Sequence, residues 1–148
     1  MYIAVPATTE APTPPPGGDC PVDIIFVVDE SGSVTSDNFN LVKTFLSKLV
    51  ESLDIDSGNT RVGLVTYSDV VSREGFNLND HSSVTSVKSA IMNLDYSGGT
   101  TNTAAALAHV RTTMLTSPKG DRPNVPNVIV VLTDGLSDDI DQTKVSII

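Results

Sequence analysis

Two segments of this chain end alike, and together they restrict what it can fold into. Residues 23–29 read Asp-Ile-Ile-Phe-Val-Val-Asp, and residues 127–134 read Asn-Val-Ile-Val-Val-Leu-Thr-Asp. A strand with one face in water alternates apolar and polar residues. A run that does not alternate needs cover on both faces, as a central parallel strand between two helical layers has. Parallel neighbours in turn require long crossovers, usually helical. If both runs lie in one sheet, their closing carboxylates, Asp29 and Asp134, meet at one rim.

The stretch between them supplies the crossovers. Phe39, Val42, Phe45, Leu46, Leu49, Val50 and Leu53 recur at helical spacing behind Thr35-Ser36-Asp37, whose side chains can cap free amides. Residues 61–67 and 70–78 read as strands joined through Ser68-Asp69, too short a link for anything but an antiparallel hairpin. Val84, Val87, Ile91 and Leu94 mark a second helix, and Thr103, Leu107, Val110 and Met114 a third. The order predicts an α/β, doubly wound, mostly parallel sheet with one antiparallel hairpin strand and helices on both faces. Ligands of such sheets bind outside the carboxyl ends of the strands.

Composition bounds the rest. A chain of 148 residues holds one buried core. Residues 8–18, rich in Thr and Pro with no apolar face, read as part of an extended linker over 1–19, leaving 20–148 as the folded domain. That composition suits a glycosylated stalk or a plain disordered tail alike. Residues after Met1 lack the basic start and long apolar stretch of a secretory signal, so a signal is expected upstream or not at all. No apolar run approaches the roughly 20 residues that span a bilayer. The net charge of -9 repels phosphate backbones and anionic lipids, which argues against nucleic acid as a partner. Cys20 stands alone, either as a free thiol or as half of a disulfide.

Beyond Asp29 come Glu30-Ser31-Gly32-Ser33. In a locally extended chain, side chains two and four places on point to the same side as the first, so Asp29, Ser31 and Ser33 offer a carboxylate and two hydroxyls to one point. Gly32 lets the loop bend. Asp134 joins them from the other strand. The paired glycines of Ser97-Gly98-Gly99-Thr100-Thr101-Asn102-Thr103 let a further loop pass close and bring a threonine hydroxyl. An all-oxygen set suits a hard cation, Mg2+, Mn2+ or Ca2+, and suits zinc poorly. Taken alone, the Asp-x-Ser-x-Ser triplet also reads as a turn capping the next helix. His81 and His109 read as surface or packing residues, and Asp138-Asp139-Ile140-Asp141 as a solvated first helical turn.

Asp29-x-Ser31-x-Ser33, then Gly98-Gly99-x-Thr101-Asn102-Thr103, then Thr133-Asp134-Gly135 resemble, in order, the metal-ion-dependent adhesion site of the von Willebrand factor A domain family. The resemblance runs from about residue 20 to the end. It implies one cation with Ser31 and Ser33 as direct ligands, Thr101 direct or through water, and Asp29 and Asp134 acting mostly through water and hydrogen bonds. Thr101 is preferred to Thr100 and Thr103 because the family's threonine begins the Thr-x-Thr before the helix. The family continues past this loop with further strands and helices, so the resemblance implies a domain truncated at its C-terminus. It also implies that strand 127–133 is left as an uncovered edge, and that Cys20 has a disulfide partner beyond Ile148. A C-terminal helix through which some relatives switch affinity is not in this sequence.

The implied function is non-enzymatic: a secreted extracellular-matrix module that binds an Asp or Glu carboxylate of a matrix or cell-surface protein through its cation. Collagens, other matrix proteins and mineral-associated assemblies are the partner classes. The alternative is a structural matrix module whose metal only stabilises the fold. Mg2+-dependent phosphotransfer is less well supported, since the position two after Asp29 is Ser31 rather than a second carboxylate. Neither Gly-x-Gly-x-x-Gly nor Gly-x-Ser-x-Gly is present, which disfavours dinucleotide binding and serine hydrolysis.

Overall fold

The computed structural model describes residues 2–3, 20–69 and 71–135. Strands β1 (Tyr2–Ile3), β2 (Val22–Asp29), β3 (Thr60–Tyr67), β4 (Val71–Phe76) and β5 (Asn127–Leu132) form one sheet in the order β1-β5-β2-β3-β4. β2 is parallel to both β3 and β5, and β4 is antiparallel to β3, as the hairpin link requires. Helices α1 (Thr35–Leu49), α2 (Val84–Met92) and α3 (Thr103–His109) supply the crossovers. The chain is thus a doubly wound, mostly parallel α/β sheet.

Side-chain alternation along β2 and β3 divides the core into two layers. Phe26 and Val28, with Val62 and Leu64, face Phe39 and Leu46 of α1 and Val87 and Ile91 of α2. Ile25 and Val27, with Val65 and Tyr67, face Ala106 and Leu107 of α3 and, beyond it, Val110 and Met114. Both faces of β2 are therefore buried, which explains why its sequence does not alternate.

Several boundaries differ from the sequence reading. The third helix is α-helical only to His109 and loosens into a π turn at Val110–Met114. Val70 lies outside the described residues, and β4 ends at Phe76, although Leu78 is still buried. At the start of α1 the expected cap is weak: the Thr35 hydroxyl accepts the Asn38 amide at 3.5 Å, and Val34 at the cap position offers no side-chain bond. Thr35 itself has φ 64°, a left-handed conformation that costs a β-branched residue roughly 1–2 kcal/mol. The outer edge of β5, expected bare, carries Tyr2–Ile3 in antiparallel pairing, Tyr2 opposite Val131 and Ile3 opposite Val130. These two residues had been read as linker, but an edge strand's open amides and carbonyls accept any extended segment within reach. The remainder of the expected linker, residues 4–19, and the acidic turn at 138–141 lie outside the described residues.

The amino ends of the strands are held by one arginine. Arg122 donates to Asp23 from Nη2 at 2.6 Å and from Nε at 2.9 Å, and to the carbonyls of Val22, Gly58 and Asn59. Asp23 is 0% exposed, so this pair is a buried one that ties β2 to the turn before β3.

Candidate metal centre

Because β2 and β5 are parallel and in register from Asp23↔Asn127 to Val28↔Leu132, Asp29 and the Thr133-Asp134 pair leave the sheet side by side. The chain turns at once after Asp29. Its Oδ1 accepts the Ser31 amide at 2.8 Å, and its Oδ2 accepts the Thr133 hydroxyl at 2.7 Å. Ser31 Oγ and Ser33 Oγ lie 3.1 Å apart, and Ser33 Oγ donates to Asp134 Oδ1 at 3.0 Å. Four of the five residues singled out from the sequence, Asp29, Ser31, Ser33 and Asp134, are thereby joined in one hydrogen-bonded group.

Thr101 arrives on the third loop. Gly98 and Gly99 have φ of 75° and 112°, a backbone open to glycine at little cost, and the loop they shape lies against the turn after β2. Gly32 donates its amide to the Gly99 carbonyl at 2.8 Å, and the Tyr96 hydroxyl donates to the Ser31 carbonyl at 3.1 Å. Of the three threonines, Thr100 is exposed, Thr101 is buried, and Thr103 is buried with its hydroxyl committed to the Tyr67 hydroxyl at 3.1 Å. Asn102 caps α3 by accepting the Ala105 amide.

The electrostatics of the rim are one-sided. Asp29 is 1% exposed and Glu30 beside it is equally buried. Among the described residues the ion pairs are Arg122 with Asp23 and Lys88 with Glu51, neither at the rim. Asp29 and Asp134 therefore receive hydrogen bonds from amide and hydroxyl groups but, among the described residues, no balancing cationic side chain. No three His, Cys, Asp or Glu residues cluster as metal ligands among the described residues, so an ion here would rest on two carboxylates and several hydroxyls. That donor chemistry fits a divalent cation held by oxygen. A groove of about 370 Å³, lined by Val34, Val42, Phe45 and Leu132, adjoins Asp29 and Asp134 and keeps one side of the rim apolar.

Tyr67, Tyr96 and Thr133 also shape this rim, and sequence reasoning gave them no site role. Tyr67 reads only as the last residue of the strand 61–67, and Tyr96 lies in no element the sequence marks. Thr133 was noted only as part of a motif. His81 packs edge-on against Phe76, in keeping with a packing role, and Cys20 is exposed.

Known proteins share this sequence pattern and this fold. The sequence profile of the von Willebrand factor type A domain matches residues 23–147. The chain is 41% identical over 133 residues to the collagen alpha-4(VI) chain of Mus musculus, covering 88% of this chain and 6% of that one. It is 39% identical over 123 residues to human matrilin-1, covering 83% of this chain and 25% of matrilin-1. It thus spans a small part of these relatives. Among solved structures it resembles proximal thread matrix protein 1 of the mussel byssus, with TM-score 0.79 and 26% identity over 86% of this chain and 34% of that one. A second structure of that protein, with TM-score 0.75 and 28% identity over 82% of this chain and 33% of that one, has zinc in its MIDAS motif.

Proposed function

Because the chain belongs to the von Willebrand factor type A domain family, we propose that it is a non-enzymatic extracellular-matrix module that captures a carboxylate of a partner protein through one divalent cation at the rim. The observation that carries this reading is the hydrogen-bonded group of Asp29, Ser31, Ser33 and Asp134, with no cationic side chain among the described residues paired to either aspartate.

Ser31, Ser33 and Thr101 would hold the ion through hydroxyls, and Asp29 and Asp134 through their carboxylates or intervening water. A bound cation supplies an electrophilic position that an outside carboxylate can fill by replacing water. Neutral hydroxyls leave much of the ion's charge unneutralised, so an Asp or Glu from a partner gains a charge-assisted contact there. The groove beside Asp29 gives that flank an apolar lining, which weakens competing polar contacts there. Mg2+ or Mn2+ is the ion the oxygen set favours. Zinc in the mussel protein belongs to that protein, and makes zinc a necessary comparison here.

The kinship with collagen VI and matrilin chains supports a secreted matrix location. The test is a solid-phase binding assay of the purified protein against extracellular-matrix extracts, with Mg2+, with Mn2+, with Zn2+ and with EDTA. Binding should need the cation and fall when carboxylates on the partner are blocked. Undiminished binding in EDTA would instead leave a structural module whose ion serves only the fold.

A further inference from the structure

Tyr96 meets the turn after β2 from outside all three motifs. Ser31, in that turn, is held at both polar groups of its backbone. Its amide donates to Asp29 Oδ1 at 2.8 Å, and its carbonyl accepts the Val34 amide at 3.1 Å, which closes the turn. The same carbonyl accepts the Tyr96 hydroxyl at 3.1 Å. A carbonyl oxygen has two lone pairs and no proton, so Tyr96 is the donor and the acceptor is then fully used. Two of these three bonds arise within the turn itself, and the third comes from 65 positions away.

The place of Tyr96 is in turn fixed from α1. Phe39, 1% exposed, packs its ring against that of Tyr96 with centroids 5.6 Å apart and a tilt of 49°. One turn further along α1, Lys43 donates to the carbonyls of Met92 and Leu94 at 3.3 and 3.0 Å, tying down the end of α2 just ahead of Tyr96. Past Tyr96 the chain enters Gly98-Gly99 and returns to the same turn, where the Gly99 carbonyl accepts the Gly32 amide at 2.8 Å. The Tyr96 hydroxyl and the Gly99 carbonyl thus grip adjacent residues, Ser31 and Gly32, and two places beyond Gly99 the same loop carries Thr101.

We propose that Tyr96 is a positioning residue of the cation site, whose hydroxyl sets the register between the turn carrying Ser31 and Ser33 and the loop carrying Thr101. This rests on the cation-binding reading above. An ion held by hydroxyls from two loops binds best where their separation is set before it arrives. Loops left to drift would have to be ordered by the ion itself, at a cost in affinity. A phenylalanine at position 96 keeps the ring on Phe39 and removes only the hydroxyl.

The test is Tyr96→Phe in the purified protein, read by calorimetric titration with Mg2+ and Mn2+ and, without any cation, by amide hydrogen exchange. Loss of a group that orients metal ligands should weaken cation affinity about tenfold. In the cation-free variant, exchange should quicken at the Gly32 and Val34 amides and stay unchanged at Val27. The amino acid 4-aminophenylalanine at position 96, which keeps a donor where the hydroxyl was, should return affinity to near the parent value. Combined with Thr101→Ala, the loss should be less than additive, because both changes act on one loop. If Tyr96→Phe does not fold, the unaltered protein decides: the ring signals of Tyr96 should shift in NMR over the same Mg2+ range as the Ser31 amide, and their constancy would overturn the proposal. Affinity of Tyr96→Phe within twofold of the parent, strict additivity with Thr101→Ala, failure of the amino analogue to restore binding, or faster exchange across the whole sheet would overturn it equally. A protein that binds no cation at all would overturn both this and the adhesion reading. Weakened cation binding together with EDTA-resistant partner binding would uphold Tyr96's role and remove the adhesion reading alone.

Discussion

Ser33 and Asp134 stand 101 positions apart in the chain and 3.0 Å apart in space, the hydroxyl of one donating to the carboxylate of the other. The contact is solvent-exposed, so Ser33→Ala should cost stability no more than about 1 kcal/mol. It should cost far more in cation affinity, about tenfold or greater, because one hydroxyl both orients Asp134 and would face the proposed ion. Calorimetry beside urea unfolding separates the two effects, and equal affinity in variant and parent would remove Ser33 from the site.

Thr100 and Thr101 are adjacent in sequence but unlike in environment, the first exposed and the second buried. Thr101→Ala should weaken partner binding by more than it weakens folding, whereas Thr100→Ala should be nearly silent in both. The reverse ranking in a plate-binding assay would shift the assignment by one residue.

At the far end of the sheet, Arg122→Met should destabilise the fold by about 3–5 kcal/mol, since it strands the fully buried carboxylate of Asp23. Replacing both partners, with Asp23→Asn added, should recover part of that loss. Cation affinity of whatever remains folded should be unaltered, because the pair holds the opposite ends of the strands. Urea midpoints of the single and double variants decide the matter.

Gly99→Ala should harm both stability and the site. A Cβ there would stand 3.1 Å from Asp69 Oδ1 and 3.2 Å from Ser68 Oγ, on a backbone with φ 112°. The strain is of the order of 1–3 kcal/mol. Relief by shifting the loop would pull the Gly99 carbonyl from the Gly32 amide, so cation titration should show a weaker site even at temperatures where the variant is fully folded.

The Lys88 ammonium, hydrogen-bonded to Glu51, holds that carboxyl below its ordinary value of 4.5. A depressed carboxylate stabilises the fold above its unfolded pKa and loses that contribution as pH falls through the folded one. Glu51→Gln should therefore lower the unfolding midpoint slightly at neutral pH, with the gap closing on acidification below the carboxylate range. A gap independent of pH would assign the effect to packing rather than charge.

The elements that the sequence revealed best are those whose partners are the sheet itself. Residues 23–29 do not alternate because both faces of β2 are covered, and Phe39, Leu46, Val87 and Ile91 repeat helically because one face of each helix is. Periodicity records which side of an element is apolar. It says nothing about where a polar tip points, and so Tyr67, whose ring is core but whose hydroxyl accepts from Thr103, reads as the end of a strand alone. Arg122 was equally hidden, since its partners Asp23, Val22, Gly58 and Asn59 lie 63 to 100 positions away and nothing in its own neighbourhood marks it. Asp29, Ser31, Ser33 and Asp134 were legible because each follows directly from a strand end, where topology dictates position.

The placement of β2 bears on how the module carries tension. For a protein gripped by a partner at Asp29 and by its own chain at Cys20, the pull runs along a single strand lying between two parallel neighbours. All eight residues of β2 are paired with β3, and the six of β5 flank it on the other side. Both ladders are then loaded in shear, every bond sharing the strain at once, whereas a hairpin peeled from its end surrenders its bonds one by one. The Arg122 tie to Asp23 sits where that load enters the sheet. Force along this axis meets the stiffest direction of the fold, and the same force applied across the strands would meet the weakest.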